Sequence, residues 1–163
     1  MSDDAAVRIF AAEPILPAEV AEAAAAAISK LMQQFIREGR CQAAATAVAE
    51  DGRWLVVAWE GPPLSGCSHD KIAQVIATYE TRSGCTLLAS PPIAVGASGA
   101  VRLTNRSGLR QWLAAGACTA ETPVWNRQVT TLGAWRNEPR PLASSVLATL
   151  LLPHGAANMT GQP

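Results

Sequence analysis

Seven consecutive residues, Ser65-Gly66-Cys67-Ser68-His69-Asp70-Lys71, form the densest group of reactive side chains in the sequence. They stand where a loop runs into an apolar-periodic segment, so Cys67 falls at a helix start, where unpaired N–H groups favour negative charge. A favoured thiolate is what nucleophilic or redox chemistry at cysteine requires. In that reading Cys67 is catalytic, and Ser68, His69 and Lys71 assist it. A structural reading competes and is favoured: the residues cap and pack a helix, because a general base normally converges on a cysteine from a distant part of the chain. His69 is two positions away, and the other histidine, His154, lies near the C-terminal end. An anion or metal site in the same loop is the third reading.

Ser68 to Lys71 also satisfies S-x-x-K, in which a serine nucleophile begins a helix and a lysine follows one turn later. The accompanying K-T-G and S-D-N elements are absent, since Lys30 and Lys71 are the two lysines of the chain. The match is therefore a coincidence of spacing. No G-x-x-x-x-G-K-[ST] and no G-x-G-x-x-G occurs, which excludes a P-loop ATPase. Cys41, Cys67, Cys85 and Cys118 contain no C-x-x-C pair, so the spacing does not support a zinc cage, and no metal or cofactor is expected beyond the loop alternative above.

Composition narrows the class. The chain has 163 residues, 13 Lys+Arg against 13 Asp+Glu, 49% apolar residues and 16% charged ones. That is the size and core content of one domain. A net charge of zero lacks the broad basic field of a nucleic-acid binder. The acidic start Met1-Ser2-Asp3-Asp4 and the absence of a long apolar run indicate neither export nor membrane insertion. A cytoplasmic setting with reduced thiols is the expectation. Residues 102–140 carry six arginines and two glutamates, a modest basic bias that reads as a solvated face.

The elements that position these residues follow from periodicity. Val7 to Phe10 reads as a strand, and Val20, Ile28, Leu31 and Phe35 recur at helical spacing behind Pro17, up to Gly39. Ala43 to Glu50 and Arg53 to Trp59 flank Asp51-Gly52 and predict a hairpin with a type I′ turn. Ile72, Val75, Ile76 and Tyr79 predict a second helix with Ser68 as N-cap and Gly84 as its stop. Strands are expected at Thr86 to Ala89, Ile93 to Val95, Ala100 to Leu103 and Val124 to Val129, and a short helix over Ser107 to Ala115. Leu142 to Leu152 reads as a last helix or strand. The whole is an α+β domain over residues 1–152, an antiparallel sheet with hairpins packed on two longer helices and one short one, followed by a flexible tail over 153–163.

The chain has five tryptophans against two phenylalanines and one tyrosine. Trp54 and Trp59 differ in parity along one strand and must face opposite sides of a sheet. That parity predicts that at least one of them meets solvent, a partner or the first helix. Trp112, Trp125 and Trp135 cluster in the C-terminal third, and tryptophan suits both cores and binding surfaces.

Two resemblances add to this. Gly66-Cys67-Ser68-His69-Asp70, together with Leu113-Ala114-Ala115-Gly116, Glu121-Thr122-Pro123-Val124-Trp125-Asn126 and Val129-Thr130-Thr131, resembles a family of small bacterial proteins whose members often carry the label "ABC transporter ATPase". The likeness spans roughly residues 7–145 and implies no activity, because the phosphate-binding loop is missing. Leu109 to Trp135 is similar to bacterial GYF-like modules, with residues 105–140 as the corresponding submodule. That second likeness implies binding of a proline-rich or extended segment, with Trp112, Trp125 and Trp135 as contact residues, although no G-Y-F element precedes the helix. The expectation is a non-catalytic protein-interaction or accessory domain whose partner is another protein, with self-association left open. A thiol-dependent enzyme or redox protein using Cys67 is the alternative.

Overall fold

Residues 54–60, Trp-Leu-Val-Val-Ala-Trp-Glu, have no polar alternation, the pattern of a strand covered on both faces. The computed structural model, which describes residues 1–49 and 52–152, shows that strand at the centre of the fold. It is β3 (Trp54–Glu60), and it pairs antiparallel with β1 (Ala6–Ala11) on one side and β2 (Ala43–Ala49) on the other. Leu55, Val57 and Trp59 face a core made with the helices α1 (Ala18–Arg37) and α2 (Gly66–Ser83). Trp54, Val56 and Ala58 face the opposite way, into a second core.

That second core is closed by a second antiparallel sheet of β5 (Arg102–Thr104), β4 (Ile93–Val95), β6 (Pro123–Asn126) and β7 (Arg140–Pro141), in that spatial order. Alternation continues through it. Ala94 and Trp125 point at the first sheet, while Ile93, Val95 and Val124 point away. A third core on the far side holds Leu109 of α3 (Arg106–Ala114), Cys118, Leu142 and Leu147. The result is a stack of helices, sheet, sheet and a thin outer layer of α3 and 3₁₀ turns.

The α+β class stands, with two sheets where one was expected. α1 runs over its predicted span, burying Ala21, Ala24, Ile28, Met32 and Phe35 along one stripe. The hairpin pairs as predicted, from Ala43 opposite Glu60 to Ala49 opposite Trp54. Its expected type I′ turn and the tail over 153–163 involve residues outside those described.

Several elements differ from the expectation. The N-cap of α2 is Ser65, whose Oγ accepts from the Ser68 N–H at 3.3 Å. Ser68 itself is buried inside the first turn. Thr86 to Ala89 forms no strand beyond a single bridge from Thr86 to Glu13, because the Glu80 carboxylate takes the N–H groups of Leu87 and Leu88. β6 ends at Asn126, where Arg127 turns inward to Ser90 and Pro91. Leu142 to Leu152 contains two 3₁₀ turns, Leu142–Ser144 and Ala148–Leu151. The short helix α4 (Leu132–Arg136), capped by Thr131, was not foreseen. Among the described residues no helix is long and apolar enough to cross a membrane.

Candidate functional site

The start of α2 projects its reactive residues in different directions, since positions one and two apart on a helix do not face each other. Cys67 is exposed, whereas Cys41, Cys85 and Cys118 are buried. Ser68 is 1% exposed, and its hydroxyl accepts from Arg40 Nη1 at 3.0 Å and lies 3.1 Å from Ser65 Oγ. His69 packs edge-on against Trp59, with ring centroids 5.8 Å apart. Its Nδ1 lies 3.2 Å from Arg8 Nη1, which can only donate, so the lone pair is engaged and the ring proton sits on Nε2. Burial, reinforced by the Arg8 charge, pulls the imidazole below its ordinary pKa, against a smaller opposing pull from Asp70. Lys71 lies near Glu38, whose carboxyl is held low first by a hydrogen bond from Gln34 and then by Arg40 and Lys71. His69 and Ser68 are thus engaged by Arg8, Trp59, Arg40 and Ser65.

The tryptophans fall in three layers: between the sheets, on the helix side of the first sheet, and on the outer side of the second. Trp54, Trp125 and Trp135 form a triangle with centroid separations of 5.3, 5.3 and 5.5 Å, filling the space between the sheets. Trp59, on the other face of β3, is buried as well, so both tryptophans of that strand are core residues; of the expected surroundings of solvent, a partner or the first helix, Trp59 has the core that includes α1. Trp125 is 7% exposed and donates its Nε1–H to the Gly96 carbonyl at 3.1 Å. Trp112 packs beside the third core, with the Arg102 guanidinium 4.3 Å above its ring. The three predicted contact residues do not share one surface, since Trp125 and Trp135 touch and Trp112 stands on the opposite side of the sheet.

A surface groove lies beside this cluster. A depression of about 150 Å³ is lined by Trp125, Pro92 and Ile93, with Arg106, Asn126 and Gln128 as its polar groups and Val146 and Leu147 on the facing wall. A neighbouring depression of about 200 Å³ shares Asn126, Ser145 and Val146 and adds Glu138 and Arg140. Val146, 66% exposed, is the apolar ridge between the two.

No family model, curated protein or solved structure matches this chain.

Glu138 is the least expected of the groove residues. Its side chain is 5% exposed, and Oε2 accepts from the Asn126 N–H at 3.1 Å while Oε1 lies 3.8 Å from Arg140 Nε. Burial pushes its carboxyl up, partly offset by that hydrogen bond and by Arg140. Nothing in the spacing of Asn137-Glu138-Pro139-Arg140 marks it, because its burial comes from β6 lying alongside. Among the described residues, no three of His, Cys, Asp and Glu gather in a way that could hold a metal ion.

Proposed function

We propose that this chain is a non-catalytic protein-interaction or accessory domain that holds an extended or proline-rich segment of a partner protein in the groove beside Trp125. The observation that supports this is that Trp125 and the exposed apolar side chain of Val146 line one open depression together with Asn126, Gln128 and Arg106. A polyproline helix is preformed, presents apolar rings that pack on aromatic surfaces, and leaves its carbonyls free to accept from such polar groups. The test is a titration of a proline-rich peptide library followed by tryptophan fluorescence, with Val146→Asp as the control. Binding by the native chain that Val146→Asp weakens at least about tenfold, with unchanged melting temperature, supports the reading. Equal binding by both proteins, or none by the native chain, overturns it.

One observation favours the thiol reading as the second: Cys67 is the exposed cysteine and lies in the first turn of α2. Alkylation mapped by mass spectrometry discriminates. A Cys67 that stays fast at mildly acidic pH is a stabilised thiolate and promotes this reading; one that slows as an ordinary thiol does retires it.

A further inference from the structure

The groove beside Trp125 carries positive charge that no described residue neutralises. Among the described residues lining its first depression, Arg106 is the one charged group. It is exposed, and it stays outside the ion pairs of the described residues, whose cations are Arg40, Arg53, Arg136 and Arg140. Arg110 is likewise exposed and outside those pairs, and it stands one turn further along the same side of α3, since residues four apart are neighbours on a helix. The sequence offers no local counter-charge: residues 81–120 contain Arg82, Arg102, Arg106 and Arg110 and no aspartate or glutamate.

A third guanidinium adds to this charge. Arg127, between Asn126 and Gln128 of the groove, is half-buried and donates from Nη1 to the Ser90 hydroxyl at 2.5 Å and the Pro91 carbonyl at 3.1 Å, while its Nε is buried without a partner. Both acceptors are neutral, so a partly desolvated cation stands beside the loop that continues into Pro92 of the groove wall. Burial pulls this group below its ordinary pKa. Glu138, in the adjoining depression, is already engaged by the Asn126 N–H and Arg140.

We infer, building on the reading of this groove as a partner's binding site, that the bound segment carries an aspartate or glutamate beside its apolar residues and that Arg106 receives its carboxylate. A guanidinium at the rim of an apolar depression offers a carboxylate several donors in a fixed plane. Arg110 and Arg127 add attraction at longer range, within the roughly 8 Å over which charges act at physiological salt. Because Arg106 is exposed, the pair sets which segment binds more than how tightly. The arrangement fits a short acidic segment rather than a nucleic acid, which needs a run of phosphate contacts along a basic stripe. α3 presents no such stripe: Arg102 is stacked over Trp112, and at 100° per residue Trp112 lies across the buried Leu109 from Arg106.

Proline-rich peptides made in three versions, with glutamate, glutamine or lysine at the same flanking position, test this by tryptophan fluorescence titration. The native chain should bind the glutamate version about three- to fivefold more tightly than the glutamine version, the scale of one exposed ion pair, and should lose that preference at high salt. Arg106→Gln should remove the preference without weakening the glutamine version. Arg106→Glu, in the first turn of α3 where an acid suits the helix, should turn the preference toward the lysine version. Equal binding of the glutamate and glutamine versions by the native chain overturns the inference and leaves the groove reading in place; binding of neither overturns both. That comparison needs no variant, so it decides the matter even if a substitution disturbs α3. A folded Arg106 variant that keeps the native preference also overturns the inference. So does a short single-stranded DNA that binds the native chain more tightly than the glutamate peptide and loses that affinity in Arg106→Gln, since the groove would then be a site for polyanions.

Discussion

His69 and Glu138 are both perturbed by burial, and the consequences for stability have opposite sign. Burial and Arg8 lower the His69 pKa in the folded state, so the unfolded chain takes up the proton first. His69 therefore contributes stability that is present above the ordinary histidine range and lost as pH falls through the folded value. Replacing Arg8 by Gln should move the His69 midpoint upward, read from the imidazole resonance in an NMR titration; an unmoved midpoint would assign the whole effect to burial. For Glu138 the folded pKa is raised, chiefly by burial, so the folded state holds its proton more tightly. Its contribution is full below the ordinary carboxylate range and is lost as pH rises through the folded value. Glu138→Gln keeps an acceptor for the Asn126 N–H and removes the buried charge. Thermal melts of this variant should gain on the native chain at neutral pH and lose that gain near pH 4.

At the scale of elements, two local devices hold the reactive corner and the central hairpin. Ser65 caps α2 and links to the buried Ser68. Ser65→Ala should cost about 1 kcal/mol in urea denaturation, and a neutral result would mean that Arg40 alone anchors the turn. Gly52 sits at φ +99°, and a Cβ there would lie 2.4 Å from the Leu16 carbonyl oxygen. The atom met is backbone, so it does not yield cheaply. Gly52→Ala should destabilise by about 2 kcal/mol or more, and should loosen the start of α1 along with the hairpin. Amide exchange at Leu16, whose N–H bonds the Gly52 carbonyl, reports that coupling.

Across the whole molecule, β3 couples everything, because its two faces belong to two cores. Trp54 is 1% exposed and touches both Trp125 and Trp135. Truncating it to Ala should cost about 3–5 kcal/mol and weaken the docking of the second sheet. Urea unfolding followed by both far-ultraviolet and near-ultraviolet dichroism checks this: the native chain should show coincident transitions. Separated transitions in the native chain would mean that the two sheets unfold independently and that Trp54 is not their common link.

What the sequence by itself determined is what short-range spacing encodes. The apolar stripe of α1, the paired runs around Gly52, the opposite facing of Trp54 and Trp59, and the stop of α2 at Gly84 were all legible, because each depends on neighbours within a few turns or one strand. The tertiary structure alone decided the division into two sheets, since β4 pairs with β6 across α3 and no local signal names that partner. A five-residue helix such as α4 is too short for periodicity to register. At the candidate sites the same limit applies. Adjacency along the chain suggested that Cys67, Ser68 and His69 act together, but successive helical residues diverge by about 100°, and Arg8 and Arg40, distant in sequence, claim two of them. The burial of Glu138 and the groove beside Trp125 arise from segments that meet only when β6 is laid against its neighbours. That encounter is a property of packing rather than of order along the chain.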